Sequence, residues 1–158
     1  MKKNRKILKI VIGMPAFNES KKIKEIINKI KKKSNNIIVC NDGSTDSTGV
    51  IAKKMGVIVI NHEKNLGYGS AIKSIFLKAK EIEADILITF DADGQHRIED
   101  IEAVIQPIID KEADIVIGSR FLENDVKMPK YRKFGVKTIT SLTNISSEVK
   151  LSDSQSGF

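Results

Sequence analysis

An α/β fold is what this sequence predicts: a mostly parallel sheet covered on both faces by helices. Short β-branched apolar runs carry no polar alternation, the pattern of strands buried on both sides. Between them lie longer stretches whose apolar residues recur every three or four positions, the mark of amphipathic helices. Each apolar run also ends in a cluster of carboxylate, amide or cationic side chains, where open parallel sheets keep their ligands. A chain of 158 residues, 41% hydrophobic and 30% charged, suffices for one domain with a proper core.

Ile7–Ile12 reads as the first strand, followed by the breakers Gly13 and Pro15. Glu19–Lys33 follows as a helix with Ile23, Ile26, Ile27 and Ile30 on one face. Ile37–Cys40 is a second strand, Asp46–Met55 a short helix, and Val57–Ile60 a third strand. Tyr68–Ile82 is the next helix, its apolar face carried by Ala71, Ile72, Ile75, Phe76 and Ala79. Ile86–Phe90 is a fourth strand, Ile98–Lys111 a helix broken or kinked at Pro107, and Ile115–Gly118 a fifth strand. After Arg120, Asn124, Asp125 and Pro129 mark a loop, Tyr131–Asn144 has a helical pattern rich in Ser and Thr, and the remainder is polar. The polar clusters then fall in order: Asn18 and Glu19, Asn41 and Asp42, His62 and Asn65, Asp91 and Asp93, Ser119 and Arg120.

Lys and Arg total 27 against 20 Asp and Glu, a net charge of +7. Such a balance favours polyanionic partners, either nucleotide phosphates or the anionic face of a membrane. Nucleic acid is disfavoured: aromatics are 5%, Trp is absent, and no aromatics alternate with the lysines as a base-stacking surface requires. The Lys-rich start and the lysines of 21–33 fit a solvated helix face first and attraction to a membrane surface second. Cys40 stands alone, which excludes a disulfide framework and a Cys-based zinc site. The Ile7–Ile12 run is too short for a signal peptide, and no run approaches the roughly 18 apolar residues of a membrane span. The expectation is a cytoplasmic chain, at most peripheral at the membrane's cytoplasmic face.

Asp91-Ala92-Asp93-Gly94-Gln95-His96 is the strongest local signal. Two carboxylates two residues apart at the end of a strand suit a hard divalent cation, and Mg²⁺ and Mn²⁺ take oxygen ligands shared with substrate phosphates. The amide oxygen of Gln95 extends that set. Asn41-Asp42-Gly43-Ser44-Thr45-Asp46 reads equally as a capped strand-to-helix turn, with the cap at Thr45 or Asp46, and as a carboxylate offered to a base edge. In Pro15-Ala16-Phe17-Asn18-Glu19, Glu19 suits a helix cap or a ribose contact. Gly67 and Gly69 open a helix where backbone N–H groups can approach a phosphate, without the Gly-Lys-Ser/Thr of a Walker loop. Arg120, Arg132 and Lys133 are surface cations or phosphate ligands. His62 and His96 are too few for a histidine metal cluster.

Taken together, six segments in order resemble the family 2 glycosyltransferases with a GT-A fold, especially the dolichyl-phosphate mannose and glucose synthase branch. They are Met14–Glu19, Asn41–Asp46, Asn65-x-Gly67-x-Gly69-x-Ala71, Asp91–His96, Gly118–Arg120 and Asp153–Phe158. The resemblance implies one Rossmann-like GT-A domain over 1–158, with a nucleotide-sugar-binding core at 1–118 and an incomplete acceptor side at 119–158. It implies that Pro15, Ala16, Asn18, Glu19, Asp42, Gly69, Asp91 and Ala92 line the nucleotide-sugar pocket. Asp91, Asp93 and Gln95 would surround an Mg²⁺ or Mn²⁺ ion, and Arg120 and Arg132 would face phosphates. Asp153 is the one candidate base in the last segment.

The activity so implied is metal-dependent, inverting transfer of a sugar from a GDP- or UDP-linked donor, with a polyprenyl (dolichyl) phosphate the expected acceptor. Relatives in the family continue past the Gly-Phe at which this chain stops. The alternative expectation is therefore a truncated domain that binds nucleotide sugar without catalysis. A dehalogenase-type phosphatase would share Asp91-x-Asp93-Gly94, but it places that motif on the first strand. A sugar-nucleotide pyrophosphorylase would need cations between Gly13 and Ser20, where none occurs.

Overall fold

A computed structural model describes residues 7–92, 97–119, 139–141 and 144. The elements run β1 (Ile10–Ala16), α1 (Ile23–Ile30), β2 (Ile37–Asn41), α2 (Thr48–Lys54), β3 (Ile58–Asn61), α3 (Tyr68–Glu81) and β4 (Ile86–Thr89), then a 3₁₀ turn (Ile98–Asp100) and α4 (Ile101–Ile109). The four strands pair in parallel in the order β3-β2-β1-β4, which bears out the α/β expectation. The chain forms two compact units, Met1–Ile101 and Glu102–Phe158. The sheet and α1–α3 all belong to the first.

Strand geometry sorts the core. Alternate residues point to opposite faces, so Val11 and Gly13 of β1 share a face with Ile38 and Cys40 of β2. On that face lie Ala71, Ile75 and Ala79, the inner stripe of α3, and all six non-glycine residues are buried. Gly13 is required here: a Cβ would sit 2.2 Å from Ile75 Cγ2. Ile12, Met14, Ile37 and Val39, all fully or almost fully buried, point to the other face. The right-handed crossover rule places α1 and α2 there. The isoleucines expected to form the inner face of α1, at 23, 26, 27 and 30, are buried, each worth about 1.5–3 kcal/mol relative to exposure.

Element boundaries shift from expectation, most informatively at the first strand and the first helix. The first strand starts at Ile10 and runs to Ala16, since Ile7 is 92% exposed and the ladders begin at Ile10. Pro15 is therefore inside a central strand. It is tolerated because β1 outruns β4, whose last partner is Gly13. The Gly13 carbonyl faces β4, accepting the Phe90 N–H, and the Ala16 carbonyl faces β2, accepting the Asp42 N–H. By alternation the missing Pro15 N–H points past the end of β4, where no ladder bond is lost. The first helix begins at Ile23, preceded by a turn in which Lys22 and Ile23 donate to the Glu19 carbonyl.

The expected fifth strand does not form. Residues 115–119 have no strand backbone, and Ile115 is 80% exposed. β-branching favours an extended chain, but a strand exists only where another accepts its ladder, and none among the described residues does. Pro107 sits inside α4, which ends two residues later at Ile109. The expected helix over 131–144 lies outside the described residues apart from 139–141 and 144, which are helical. No helix among the described residues is long and apolar enough to cross a membrane.

Candidate functional site

The connections place a ligand crevice at one point on the sheet. From β1 the chain moves outward through β2 to β3, then α3 carries it back to β4 on the other side of β1. The order therefore reverses between β1 and β4, and open α/β sheets bind ligands just beyond the strand ends at such a reversal. The loop after β1 holds Asn18 and Glu19, and the turn after β4 begins at Asp91. The first turn of α3 joins them there: the Tyr68 hydroxyl lies 3.3 Å from Asp91 Oδ1.

The loop after β1 is built by the loop after β2. Successive N–H groups of Asn18, Glu19 and Ser20 donate to Ser44 Oγ (3.0 Å), Thr48 Oγ1 (2.8 Å) and Asp46 Oδ2 (3.0 Å). In return the Asn18 side-chain oxygen accepts the Thr45 N–H at 2.9 Å. Asn18 has φ +55°, a left-handed conformation in which Asn is among the few side chains at ease. Asp46 also accepts the hydroxyl and N–H of Thr48. The Thr48 hydroxyl, then Ser20, hold the Asp46 carboxyl below the usual carboxylate range, against its desolvation. The cap expected at Thr45 or Asp46 is met in part by Asp46, which accepts the N–H of Thr48, the first residue of α2, while also bracing the loop after β1; Ser47 makes no side-chain cap. Nor does Glu19 cap α1, whose cap position is Lys22.

Asp42 is 4% exposed. Its Oδ1 meets His62 Nδ1 at 2.6 Å and the Leu66 N–H at 3.0 Å, and its Oδ2 accepts the Gly67 N–H at 2.9 Å. Burial alone would raise its pKa, but the Leu66, His62 and Gly67 donors overcome that and hold the carboxyl below its ordinary value. His62 Nε2 in turn lies 2.9 Å from Ser74 Oγ on α3. Cys40 Sγ is 3.6 Å from the same nitrogen. Burial, and then the Asp42 charge, push the Cys40 thiol up to about 11, so it stays protonated. Gly43 completes the corner. It has φ +68°, and a Cβ there would fall 2.2 Å from the Lys64 carbonyl carbon, so no other residue lets the 62–67 loop pass.

The expectation that Asp42 offers its carboxylate to a base edge meets a physical obstacle. Both oxygens are already engaged by protein donors, and the residue is buried. Asp42 fixes the loop between β3 and α3 instead. The side-chain oxygen of Asn18 is likewise taken up by Thr45. Pro15 and Ala16 form the end of β1, Pro15 half-buried and Ala16 buried, while Glu19 is half-buried in the braced loop. Ala92 is buried beside Asp91. Gly69 is open: no atom lies within 4 Å of a Cβ built on it, and its N–H takes no part in the described hydrogen bonds. Phe17, Leu66 and Tyr68 expose apolar surface on the same edge, at 44%, 50% and 54%. Asp93, Gln95, Arg120, Arg132 and Asp153 lie outside the described residues.

Residues given no such role beforehand turn out to organise the site: His62, Ser44, Thr48, Ser74 and Tyr68. One signal for the loop brace was present, because Ser44 through Thr48 are five consecutive Ser, Thr or Asp residues, more than one helix cap can use. For a cation, the described part of the site supplies the Asp91 carboxylate with the Tyr68 phenol beside it. No group of three or more His, Cys, Asp or Glu able to hold a metal occurs among the described residues. Oxygen donors of this kind fit Mg²⁺ or Mn²⁺ and do not fit a soft metal.

The sequence matches the family described as Glycosyl transferase family 2 over residues 11–154. An uncharacterized protein of Methanocaldococcus jannaschii is 42% identical over 151 residues, covering 94% of this chain and 62% of its own. The UDP-N-acetylglucosamine–dolichyl-phosphate N-acetylglucosaminyltransferase of Methanococcus voltae is 38% identical over 169 residues, covering 94% and 67%. The chain thus spans roughly two thirds of the length of these relatives. Among solved structures, glucosyl-3-phosphoglycerate synthase from Mycobacterium tuberculosis in complex with Mn²⁺ and UDP-glucose superposes with a TM-score of 0.53 at 25% identity, covering 64% of this chain and 39% of that one.

Proposed function

Because this chain belongs to glycosyl transferase family 2, we propose that it binds a nucleoside-diphosphate sugar in the crevice between the ends of β1 and β4. The observation that carries this is the convergence of Asp91, the Tyr68 hydroxyl and the uncovered Gly69 backbone at the point where strand order reverses. Pro15, Ala16, Asn18 and Glu19 form the nucleoside wall, with Asn18 acting as the brace that shapes it. The exposed ring of Phe17 and the side chain of Leu66 supply apolar surface for a base or sugar face. The Gly69 N–H, at the positive end of a 14-residue helix, is placed for a phosphate oxygen. Uridine is the base named in both the M. voltae relative and the M. tuberculosis complex, and we take it as the first choice of donor base.

Asp91, Asp93 and Gln95 would hold Mg²⁺ or Mn²⁺. When bound there, such a cation neutralises charge that develops on the departing nucleoside diphosphate. Arg120 and Arg132 face donor or acceptor phosphates in this reading. The reaction is a single displacement. An acceptor oxygen attacks the anomeric carbon, the carbon–oxygen bond to the diphosphate breaks, its electron pair leaves on the diphosphate, and the anomeric centre inverts. The acceptor we propose is a polyprenyl phosphate such as dolichyl phosphate, the class named in the M. voltae relative. A phosphate monoester is already ionised near neutral pH, so its oxygen attacks without a strong base. A sugar hydroxyl would need one, and Asp153 is the candidate. A lipid acceptor places the reaction at a membrane surface, which the net charge of +7 suits.

Isothermal calorimetry with a panel of UDP, GDP and their sugars, each in Mn²⁺ and in EDTA, tests the donor reading. Saturable binding of one nucleotide diphosphate in Mn²⁺ is expected, and absence of binding across the panel would refute it. A second test uses Gly69→Ala. Its φ is not left-handed and the site is open, so alanine should stabilise the helix by about 0.4–1 kcal/mol. If the phosphate approaches this backbone, the added methyl should weaken nucleotide binding by about 1.4 kcal/mol, roughly tenfold. Rising stability with unchanged affinity would remove Gly69 from the site.

A further inference from the structure

We infer that His62 is a positioning residue for the donor site, acting through Asp42 to hold the first turn of α3 beside Asp91. This rests on the donor reading above. The His62 side chain is 10% exposed and uses both ring nitrogens. The ionised Asp42 carboxylate can only accept, so Nδ1 carries the proton across the 2.6 Å contact, and in the neutral ring Nε2 accepts from the Ser74 hydroxyl. A single ring thus joins the end of β3 to the end of β2 on one side and to the second turn of α3 on the other.

What Asp42 does with that support is the reason it matters. Its remaining contacts are the N–H groups of Leu66 and Gly67, the two residues that lead into Tyr68 and Gly69. Gly67 has φ +90°, and a Cβ built on it would meet no atom within 4 Å, so polar bonds hold the turn. Asn65 and Ser70 bond it from within, and the Asp42 carboxylate is what ties it to the end of β2. Without the His62 proton, Asp42 is held only by two donors from the very turn it is meant to anchor. The Tyr68 hydroxyl and the Gly69 N–H would then lose their fixed place relative to Asp91, and a displacement of about 1 Å in a positioning group can cost on the order of 10²-fold.

Two substitutions of similar size separate this role from packing. In His62→Asn the amide nitrogen falls near Nδ1 and keeps the Asp42 bond. In His62→Gln the amide reaches toward Ser74 and gives up Asp42. UDP binding in Mn²⁺, by calorimetry well below each variant's melting temperature, should stay close to wild type for H62N and weaken roughly 10–100-fold for H62Q. Amide hydrogen exchange at Leu66 and Gly67 without ligand should quicken only in H62Q. If H62Q does not fold, His62→Leu, which lacks both bonds, replaces it under the same criterion. Equal affinity in the two variants, whether retained or lost together, overturns the assignment. Wild-type protein that binds no nucleotide while H62Q still quickens exchange overturns the donor reading and spares the clamp.

Discussion

Asp42→Ala is expected to cost about 2–4 kcal/mol of folding stability, since each buried donor that loses its partner costs about 1–3 kcal/mol. The carboxylate is 4% exposed and satisfies three donors, so its loss leaves the Leu66 N–H and His62 Nδ1 without their partner and the Gly67 N–H with Asn65 Oδ1 alone. The effect should depend on pH in a fixed direction. A carboxyl whose folded pKa lies below its ordinary 3.8 contributes stability that is fully present above that value. The contribution is lost as pH falls through the lower, folded pKa. Urea midpoints of wild type and variant should therefore differ most at pH 6–7 and draw closer as the pH falls through the folded pKa of Asp42. A gap that persists unchanged in acid would show that Asp42 stabilises by packing alone.

Asp93→Ala is expected to give the largest functional effect. Asp93 lies outside the described residues, and the metal role proposed for it rests on its place two residues after Asp91 in the sequence. Loss of even an outer-shell partner of a metal site costs about 10–100-fold, and a direct ligand should cost at least that much. Nucleotide binding by the variant should fall by this factor in Mn²⁺ and change little in EDTA. Asp91→Asn should show the same dependence while also loosening the contact with Tyr68. Equal losses in both conditions would mean that these carboxylates do not act through a cation.

Much of the fold was legible because its signals are local. An unalternated run such as Ile37–Cys40 can be buried on both faces only in a covered parallel sheet, and it is, whereas in Ile86–Thr89 only Ile86 and Ile88 are fully covered. The same signal misled at Ile115–Gly118, where β-branched residues have no partner strand among the described residues. It misplaced the start of β1 as well, because Ile7 and Leu8 look like the residues that follow them but have no ladder to join. Pairing is decided by residues far away in the sequence, and a run of isoleucines does not contain that information.

The site divides along the same line. The position of Asp91 at the strand-end edge was legible because a carboxylate just beyond a strand has only one edge to occupy. The roles within Asn41–Asp46 and Asn18–Glu19 were not, because side chains that contact a ligand and side chains that brace a loop are drawn from the same small polar set. Asp42 finds its partners 20, 24 and 25 residues on, and Asn18 finds Thr45 27 residues on. His62 read as an isolated histidine for the same reason. Its meaning lies in Asp42 and Ser74, neither adjacent in sequence.

Mn²⁺ used as a paramagnetic probe locates the donor crevice on the sheet. With UDP and substoichiometric Mn²⁺ added to isotopically labelled protein, the amide signals of Tyr68, Gly69, Asp91 and Ala92 should broaden first. Gly56, in the turn that leads into the opposite end of β3, should stay sharp. Selective broadening at the crevice between β1 and β4, abolished by EDTA, is the result this account predicts. Broadening centred on Gly56, or none that UDP enhances, would contradict it.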